Sequence, residues 1–83
     1  MSRIIKLLGS EVALGTATSV GNASLVRVVN NAASAAVATV KLGAVVTGTI
    51  TICAYHEVFI KKQPAETIEG AATLKGVHVA FSS

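Results

Sequence analysis

The sequence predicts an all-β protein, a small antiparallel β-sandwich of immunoglobulin-like or jelly-roll-like type with six to seven short strands. Segments rich in β-branched residues alternate with a period of two, and turn residues separate them at intervals of roughly 8–12 residues. Helical periodicity is weak throughout. The chain has 83 residues, which is the size of one domain, and we expect residues 1–83 to form it.

Two strands and an irregular segment are predicted for the first third of the chain. Residues 3–8 predict a strand. Residues 9–23, rich in Ser, Thr, Gly and Ala, predict a long loop or an irregular edge strand, where we expect flexibility. Residues 24–30 predict the next strand, because β-branched residues alternate between two faces: Leu25, Arg27 and Val29 on one, Val26 and Val28 on the other, with Asn30 and Asn31 marking a turn.

Three strands are predicted for the middle of the chain. Residues 32–38 are rich in alanine but lack a polar face of helical period, so residues 36–42 predict a strand that ends before Gly43. Residues 45–53 and 57–62 predict two more, which we expect to pair as an antiparallel hairpin through a tight connection at residues 54–56. In the first of them Ile50 and Ile52 are predicted to share one face and Thr49 and Thr51 the other, and in the second Val58 and Ile60 are predicted to point inward.

The last part of the chain predicts a surface turn and a final strand. Residues 63–70 contain the only proline, Pro64, and predict an ordered turn in which Glu66 or Thr67 accepts backbone N–H groups and Ile68 returns to the core. Residues 74–81 predict the final strand. Its inward set is expected to be Val77, Val79 and Phe81, with His78 and Ala80 opposite and a bulge at Gly76 that brings Leu74 into register.

Composition favours a subunit that is supported by neighbours. Hydrophobic residues make up 52% of the chain and charged residues 13%, so few charges protect the surface of a free monomer. A chain of 83 residues also buries only a small core, which is marginally stable by itself. Cys53 is the only cysteine, so no disulfide within the chain supports the core, and the lone thiol fits a reducing cytoplasm. The longest apolar stretch, residues 42–54, is too short to cross a bilayer. We therefore expect a homo-oligomer without a membrane partner.

The residues predict neither catalysis nor a bound cofactor. Cys53, His56 and Glu57 lie close in sequence but fall at the tip of a predicted hairpin and not in a cleft, so we expect no catalytic site and no small-molecule substrate. Cys53, His56 and His78 supply at most three zinc ligands without a second paired motif, so we expect no metal site. The sequence also lacks a phosphate-binding loop.

The positive charge is modest and dispersed. The net charge is +3 with a pI of about 9.4, and the seven basic residues are spread one or two per predicted element. Three aromatic side chains are too few for an obvious stacking platform. This pattern favours attraction to an acidic protein surface over nucleic-acid binding, and a small nucleic-acid-binding β-barrel is the alternative.

Several segments carry a resemblance to known proteins. They are residues 24–31 (SLVRVVNN), 48–52 (GTITI), 57–68 (EVFIKKQPAETI) and 77–81 (VHVAF). Their order resembles that of small structural proteins of tailed bacteriophages, in particular capsid decoration or cement proteins, although Glu66 stands where Asp is more usual. The resemblance covers roughly residues 24–81 and implies a β-sandwich that binds the outer capsid lattice without a cofactor or catalytic residues.

We therefore expect a virion structural protein on the capsid surface, assembled in the host cytoplasm, whose partner is the major capsid protein or another virion protein. A tail, neck or fibre component is the alternative position. Residues 1–9 are expected to form a partner-contacting strand or arm, because large apolar side chains crowd into it and strict alternation buries only part of them against the protein's own core. The candidate interface residues are Ile4, Ile5, Leu7 and Leu8.

Overall fold

The computed structural model describes residues 4–82, and only the backbone of Ile4, Phe81 and Ser82. Within this range the chain forms eight strands in two antiparallel sheets, and the predicted all-β sandwich is confirmed. In chain order the strands are β1 (Ile4–Leu7), β2 (Val12–Ala13), β3 (Leu25–Asn30), β4 (Ala36–Leu42), β5 (Val45–Ile52), β6 (Glu57–Lys61), β7 (Thr67–Glu69) and β8 (Leu74–Ser82).

The strands pair as one long hairpin that is folded at the turn between β4 and β5. β4 pairs with β5, β3 with β6 and β1 with β8, always antiparallel. A short fourth pair joins Thr18, just beyond β2, to Ile68 in β7. Rolling up this hairpin adds the pairs β3–β8 and β4–β7, and gives sheets of order β1-β8-β3-β6 and β5-β4-β7, with β2 also on β8. This strand order is that of a jelly roll.

The hydrophobic core lies between the two sheets. β3 sits between β6 and β8 and buries every second residue, so the predicted division of its faces is confirmed. The predicted inward residues of β6 pack against the same core as partly buried side chains. The core consists of Leu14, Val20, Ala23, Val26, Val28, Ala38, Ile52, Ile68 and Leu74.

The predicted faces of β8 are wrong. Directly opposed residues of an antiparallel pair share a face, and His78 lies opposite Val26 while Leu74 lies opposite Asn30. Leu74 and His78 therefore belong to the inner face. The inward assignment of Val77 and Val79 is therefore wrong, and the side chain of Phe81 lies outside the described part of the chain.

No bulge occurs at Gly76, because the register of β8 against β3 is continuous across it. An added Cβ at Gly76 would lie 3.2 Å from Leu14 and 3.3 Å from Val26, so the position is a close contact inside the core. Val77 and Val79 are nevertheless buried, on the outer face of the sheet. Arg27 and Leu7 are their direct cross-strand neighbours there, so long side chains shield these valines.

Two segments are more ordered than predicted. Residues 9–23 contain β2 and supply three core residues, and residues 63–70 contain β7, so the prediction of a turn without a strand is wrong. The predicted hairpin of β5 with β6 is also wrong, because these strands belong to different sheets. Residues 53–56 cross between the sheets in a tight turn, with Tyr55 at a φ of 58° and a hydrogen bond from His56 N to Cys53 O.

Candidate interaction surfaces

One side of the sandwich is closed by the backbone of residues 12–18. Leu14 N donates to Leu74 O in the first sheet at 2.9 Å, and Leu14 O accepts from Gly70 N beside the second at 2.8 Å. Thr18 and Ile68 then exchange two backbone hydrogen bonds of 3.1 and 2.8 Å. The Leu14 side chain fills the space behind this connection and is fully buried. The core around Leu14 is therefore covered by main chain on this side.

The other side of the sandwich is open between β5 and β6, the edge strands of the two sheets. A cleft of about 440 Å³ lies between them. Its wall residues Val40, Ile50, Phe59 and Ile60 are apolar, while Thr47 and Glu66 form its polar end. Ile50 belongs to the inner face, opposite Ala38, but is still 41% exposed. The predicted common face of Ile50 and Ile52 is thus confirmed, and the exposure of Ile50 follows from the open side.

β5 is the most exposed strand that bounds this cleft. Seven of its eight residues are exposed, although the strand reads VVTGTITI. No Asp, Glu, Lys or Arg occurs between Lys41 and Glu57. Natural edge strands usually carry charges or proline that prevent pairing with other chains. The absence of such residues leaves the edge of β5 without this protection, a feature that the predicted hairpin of β5 with β6 did not reveal.

Polar side chains join the sheets at both ends of the cleft. At one end the fully buried Asn30 donates from Nδ2 to the carbonyl oxygens of Ile52 and Ser34, at 3.0 and 2.9 Å. Its Oδ1 accepts from Ala32 N at 3.2 Å. At the other end Thr47 Oγ1 in β5 donates to the Glu66 carboxylate at 2.5 Å. The cleft is therefore braced at its ends and open between them.

Lys62 and Glu66 form a buried polar group next to this end of the cleft. Lys62 Nζ donates to Ala23 O at 2.6 Å, and to the carbonyl oxygens of Gln63 and Pro64 at 3.3 Å. Burial lowers the pKa of Lys62, and the charge of Glu66 opposes this shift. Glu66 also accepts from Gln63 N at 2.7 Å, as predicted for this turn.

The carboxyl group of Glu66 is held in its ionised form. The hydrogen bond from Thr47 lowers the pKa of Glu66 most, followed by the bond from the Gln63 backbone and the charge of Lys62. Burial acts in the opposite direction. Residues 63–65 of the predicted surface turn are exposed, and the buried Lys62 and Glu66 on either side of them connect β5, β6 and the loop that ends at β3.

The predicted N-terminal interface divides between two faces. Leu7 is opposite Val79 on the outer face and is 67% exposed. Leu8 is 45% exposed and lines a cavity of about 290 Å³ with Val20 and His78. Ile5 is half-buried, and the side chain of Ile4 lies outside the described part of the chain. Leu7 and Leu8 are therefore available to a partner, but they do not form one flat patch.

The turn at Cys53 does not assemble a catalytic triad. Its thiol is exposed, the His56 ring nitrogen Nδ1 lies 2.8 Å from Ala54 O, and the Glu57 carboxylate pairs with Arg27. His78 belongs to β8, beside the other cavity. Among residues 4–82, no three His, Cys, Asp or Glu side chains come together at a position that could hold a metal ion.

All four carboxylates of the chain lie near basic side chains. Glu11 and Glu57 both pair with Arg27, Glu69 pairs with Lys41 across the sheet, and Glu66 interacts with Lys62. The positive excess therefore rests on other basic residues. Two of them, Lys61 and Lys75, share the outer face of the first sheet with Arg27, as their cross-strand partners show.

No family model, curated protein or solved structure matches this chain. In the described residues there is also no helix with the length and apolar character needed to cross a bilayer.

Proposed function

We propose that this protein is a virion structural subunit of the capsid decoration type, which binds the major capsid protein or another virion protein and stabilises the capsid lattice. The observation that carries the proposal is the jelly-roll pairing, because viral capsid domains are one of the groups that use this architecture. The same fold also serves lectins and cupins. The choice among them depends on the resemblance of the strand and turn residues to phage decoration proteins.

The surface chemistry supports an attachment role. Nine large apolar side chains among the described residues are exposed, on a chain in which only 13% of residues are charged. Exposed apolar side chains gain free energy when a neighbour covers them, roughly 1.5–3 kcal/mol for each one that becomes fully buried. Leu7 and Leu8 are the predicted attachment residues that the structure leaves exposed. We assign the contact with the virion to them.

Purified virions from the phage that encodes this chain provide the test. We expect the wild-type protein to co-sediment with particles, and labelling in electron micrographs to place it on the capsid. The double variant Leu7→Ser/Leu8→Ser should fold normally and lose at least tenfold in particle affinity. Val37→Ser is the matched control, because Val37 is 50% exposed on the other sheet and should retain binding.

Three results would contradict this proposal. Absence of the protein from purified virions would rule out the proposed function. Labelling of the tail, neck or fibres would favour the alternative virion positions. Binding of single-stranded nucleic acid below micromolar dissociation constants at physiological salt would favour the β-barrel alternative. The nucleic acid would then bind to the outer face of the first sheet, which carries Lys61 and Lys75, although Arg27 on the same face is paired with carboxylates.

A further inference from the structure

We propose that β5 is a self-pairing edge, and that two copies of the chain join their β5 strands antiparallel about a two-fold axis centred on Ile50. The resulting sheet is continuous through both copies, with six strands in the order β7-β4-β5-β5-β4-β7. This inference concerns an association of the chain with itself and does not require the virion assignment.

The backbone of β5 has hydrogen-bonding capacity on its outer edge. β5 pairs with β4 on one side and ends the sheet on the other, within the part of the chain that the structure describes. In a strand of eight residues, about half of the N–H and C=O groups point to each edge. Such a row of groups is a template for another strand. The register shift opposite Val40 and Lys41 leaves Thr47 bulged, so the regular part of this edge is Gly48–Ile52.

Gly48 is the residue that points to a close partner. An added Cβ at Gly48 would meet no atom within 4 Å, and its φ lies outside the left-handed region that favours glycine. Neither packing within one copy nor backbone geometry therefore requires a glycine here. Glycine inside a strand weakens it and often marks a place where another backbone approaches closely. Gly48 lies opposite Val40 and lines the cleft, and in the proposed pairing it is opposite the partner's Ile52, so the glycine leaves space there for the side chains of a second copy.

The side chains of this edge are complementary to themselves. With the axis at Ile50, Thr49 of one copy lies opposite the partner's Thr51, and threonine pairs across strands are favourable. Ile50 meets the partner's Ile50 over the open cleft and covers apolar wall that one copy leaves exposed. No charged residue occurs between Lys41 and Glu57, so self-pairing brings no like charges into contact.

The two-fold symmetry also explains why a second copy is favoured over an unrelated strand. A closed two-fold interface uses the same patch on both chains and stops at two copies. With the axis perpendicular to the sheet, both cores lie on the same side of the continuous sheet, and the two clefts face each other. Five of the nine exposed large apolar residues lie on β5 or next to one of its two ends: Leu42, Val45, Val46, Ile50 and Tyr55.

Sedimentation equilibrium on the isolated chain tests the pairing. We expect the wild type to be a dimer. Gly48→Lys should retain the β-sheet circular dichroism spectrum, since one copy has space for a side chain there, and should weaken dimerisation at least about 100-fold by placing two buried cations near the axis. Val37→Lys is the matched control. It adds the same charge to an exposed position of the same sheet, but on the central strand β4, and should remain dimeric.

Thiol crosslinking tests the register independently. In the antiparallel pairing, the two Cys53 residues lie three positions beyond the axis on opposite sides, about 20 Å apart, so the native chain should not form a crosslinked dimer. Ile50→Cys in a Cys53→Ser background places two thiols at the axis and should crosslink with a short thiol-to-thiol reagent.

Four outcomes would overturn the proposal. They are a wild-type monomer at all soluble concentrations, a Gly48→Lys variant that remains dimeric, crosslinking through Cys53, and failure of the Ile50→Cys variant to crosslink. Loss of virion binding by Gly48→Lys in a chain that is already monomeric would assign β5 to a strand of a capsid partner instead. A monomeric Gly48→Lys variant that still binds virions would support self-pairing and leave the proposed function intact.

Discussion

The two sides of the sandwich are closed by different means. On the closed side, residues 12–18 cross from one sheet to the other and bond to both through their backbone. On the open side, β5 and β6 are braced by side chains at the two ends of a cleft, Asn30 at one end and the pair Thr47 and Glu66 at the other. The core is therefore covered by main chain around Leu14 and accessible between β5 and β6.

This difference predicts that one side of the sandwich contributes mainly to the stability of the folded chain and the other mainly to association with a partner. The closed side contains Leu14, which is fully buried, whereas the open side contains Ile50, which is 41% exposed although it faces inward. Burial determines what a side chain contributes to folding, since the free energy scales with the apolar area removed from water. We therefore expect the closed side to dominate the stability of one copy and the open side to dominate association.

The largest expected effect is the loss of the Leu14 side chain. Leu14→Ala should lower the free energy of unfolding by about 2–5 kcal/mol, as for other buried leucines, whereas Ile50→Ala should cost about 1 kcal/mol in the monomer. Urea unfolding monitored by circular dichroism, in a Gly48→Lys background that removes association, measures both. If Leu14→Ala does not fold, Leu14→Met should still fold and lose less than about 1.5 kcal/mol.

Equal costs at Leu14 and Ile50 would contradict the comparison, because they would mean that both sides of the core are equally sealed. A larger cost at Ile50 would mean that the cleft is closed in the folded monomer. In an 83-residue chain, a difference of 1 kcal/mol corresponds to roughly 4–8 °C in Tm, so thermal unfolding provides an independent check.

The sequence predicted the positions of the strands better than it predicted which strands lie next to each other in a sheet. The alternation in β3 and β5 indicates a strand in both cases, and the faces assigned to Val26 and to Ile52 are confirmed. However, β3 lies between two strands and β5 lies at an edge. Periodicity reports which side chains share a face but not which strands flank them, so the exposure of β5 could not be read from its pattern.

The core residues within residues 9–23 and the faces of β8 could not be predicted for a different reason. Val20 is an isolated apolar residue and Leu14 ends a run of only three, residues 12–14, in a segment of small and polar residues, and such short patterns give no period from which burial can be predicted. In β8, the valines that alternate most clearly are buried on the outer face, because Arg27 and Leu7 lie beside them. The uncharged run between Lys41 and Glu57 was the sequence signal that could have identified the candidate surface.

The brace at Asn30 should have the next largest effect. Asn30→Ala removes donors to Ile52 O and Ser34 O and the acceptor for Ala32 N, and leaves buried carbonyl groups without this partner. We expect a loss of about 2–3 kcal/mol in the free energy of unfolding, since each buried polar group left unpaired costs about 1–3 kcal/mol. The matched control is Asn31→Ala at the exposed neighbouring position, which should change stability by less than about 0.5 kcal/mol.

Similar stability of the Asn30→Ala and Asn31→Ala variants would show that the end of β5 does not depend on this side chain. In that case the open side would be held by the opposite end of the cleft, where Thr47 and Glu66 meet. The two braces can therefore be ranked by experiment.

The smallest expected effect is a change in pH dependence at that second brace. The pKa of Glu66 is lower in the folded chain than its ordinary value, chiefly because of the hydrogen bond from Thr47. Ionised Glu66 therefore stabilises the folded state at neutral pH, and this contribution is lost as the pH falls through the folded pKa. Thr47→Val removes the hydroxyl group and raises the folded pKa towards the unfolded one, so the loss should be complete at a higher pH and the fall in Tm between neutral and acidic pH should be smaller.

Thr49→Val is the matched control for this prediction, because Thr49 is an exposed threonine of the same strand on the opposite face. Thr47 Oγ1 also lies 3.2 Å from Val40 O, and because a hydroxyl group has one proton, this carbonyl is the alternative acceptor when Glu66 is protonated. Thr47→Val should therefore lower Tm at acidic pH as well. The slope of Tm against pH separates the two effects, since a neutral hydroxyl-to-carbonyl bond does not titrate. Identical slopes for the Thr47→Val and Thr49→Val variants would show that Glu66 does not depend on Thr47, and that the brace at this end of the cleft is supplied by Gln63 and Lys62 without β5.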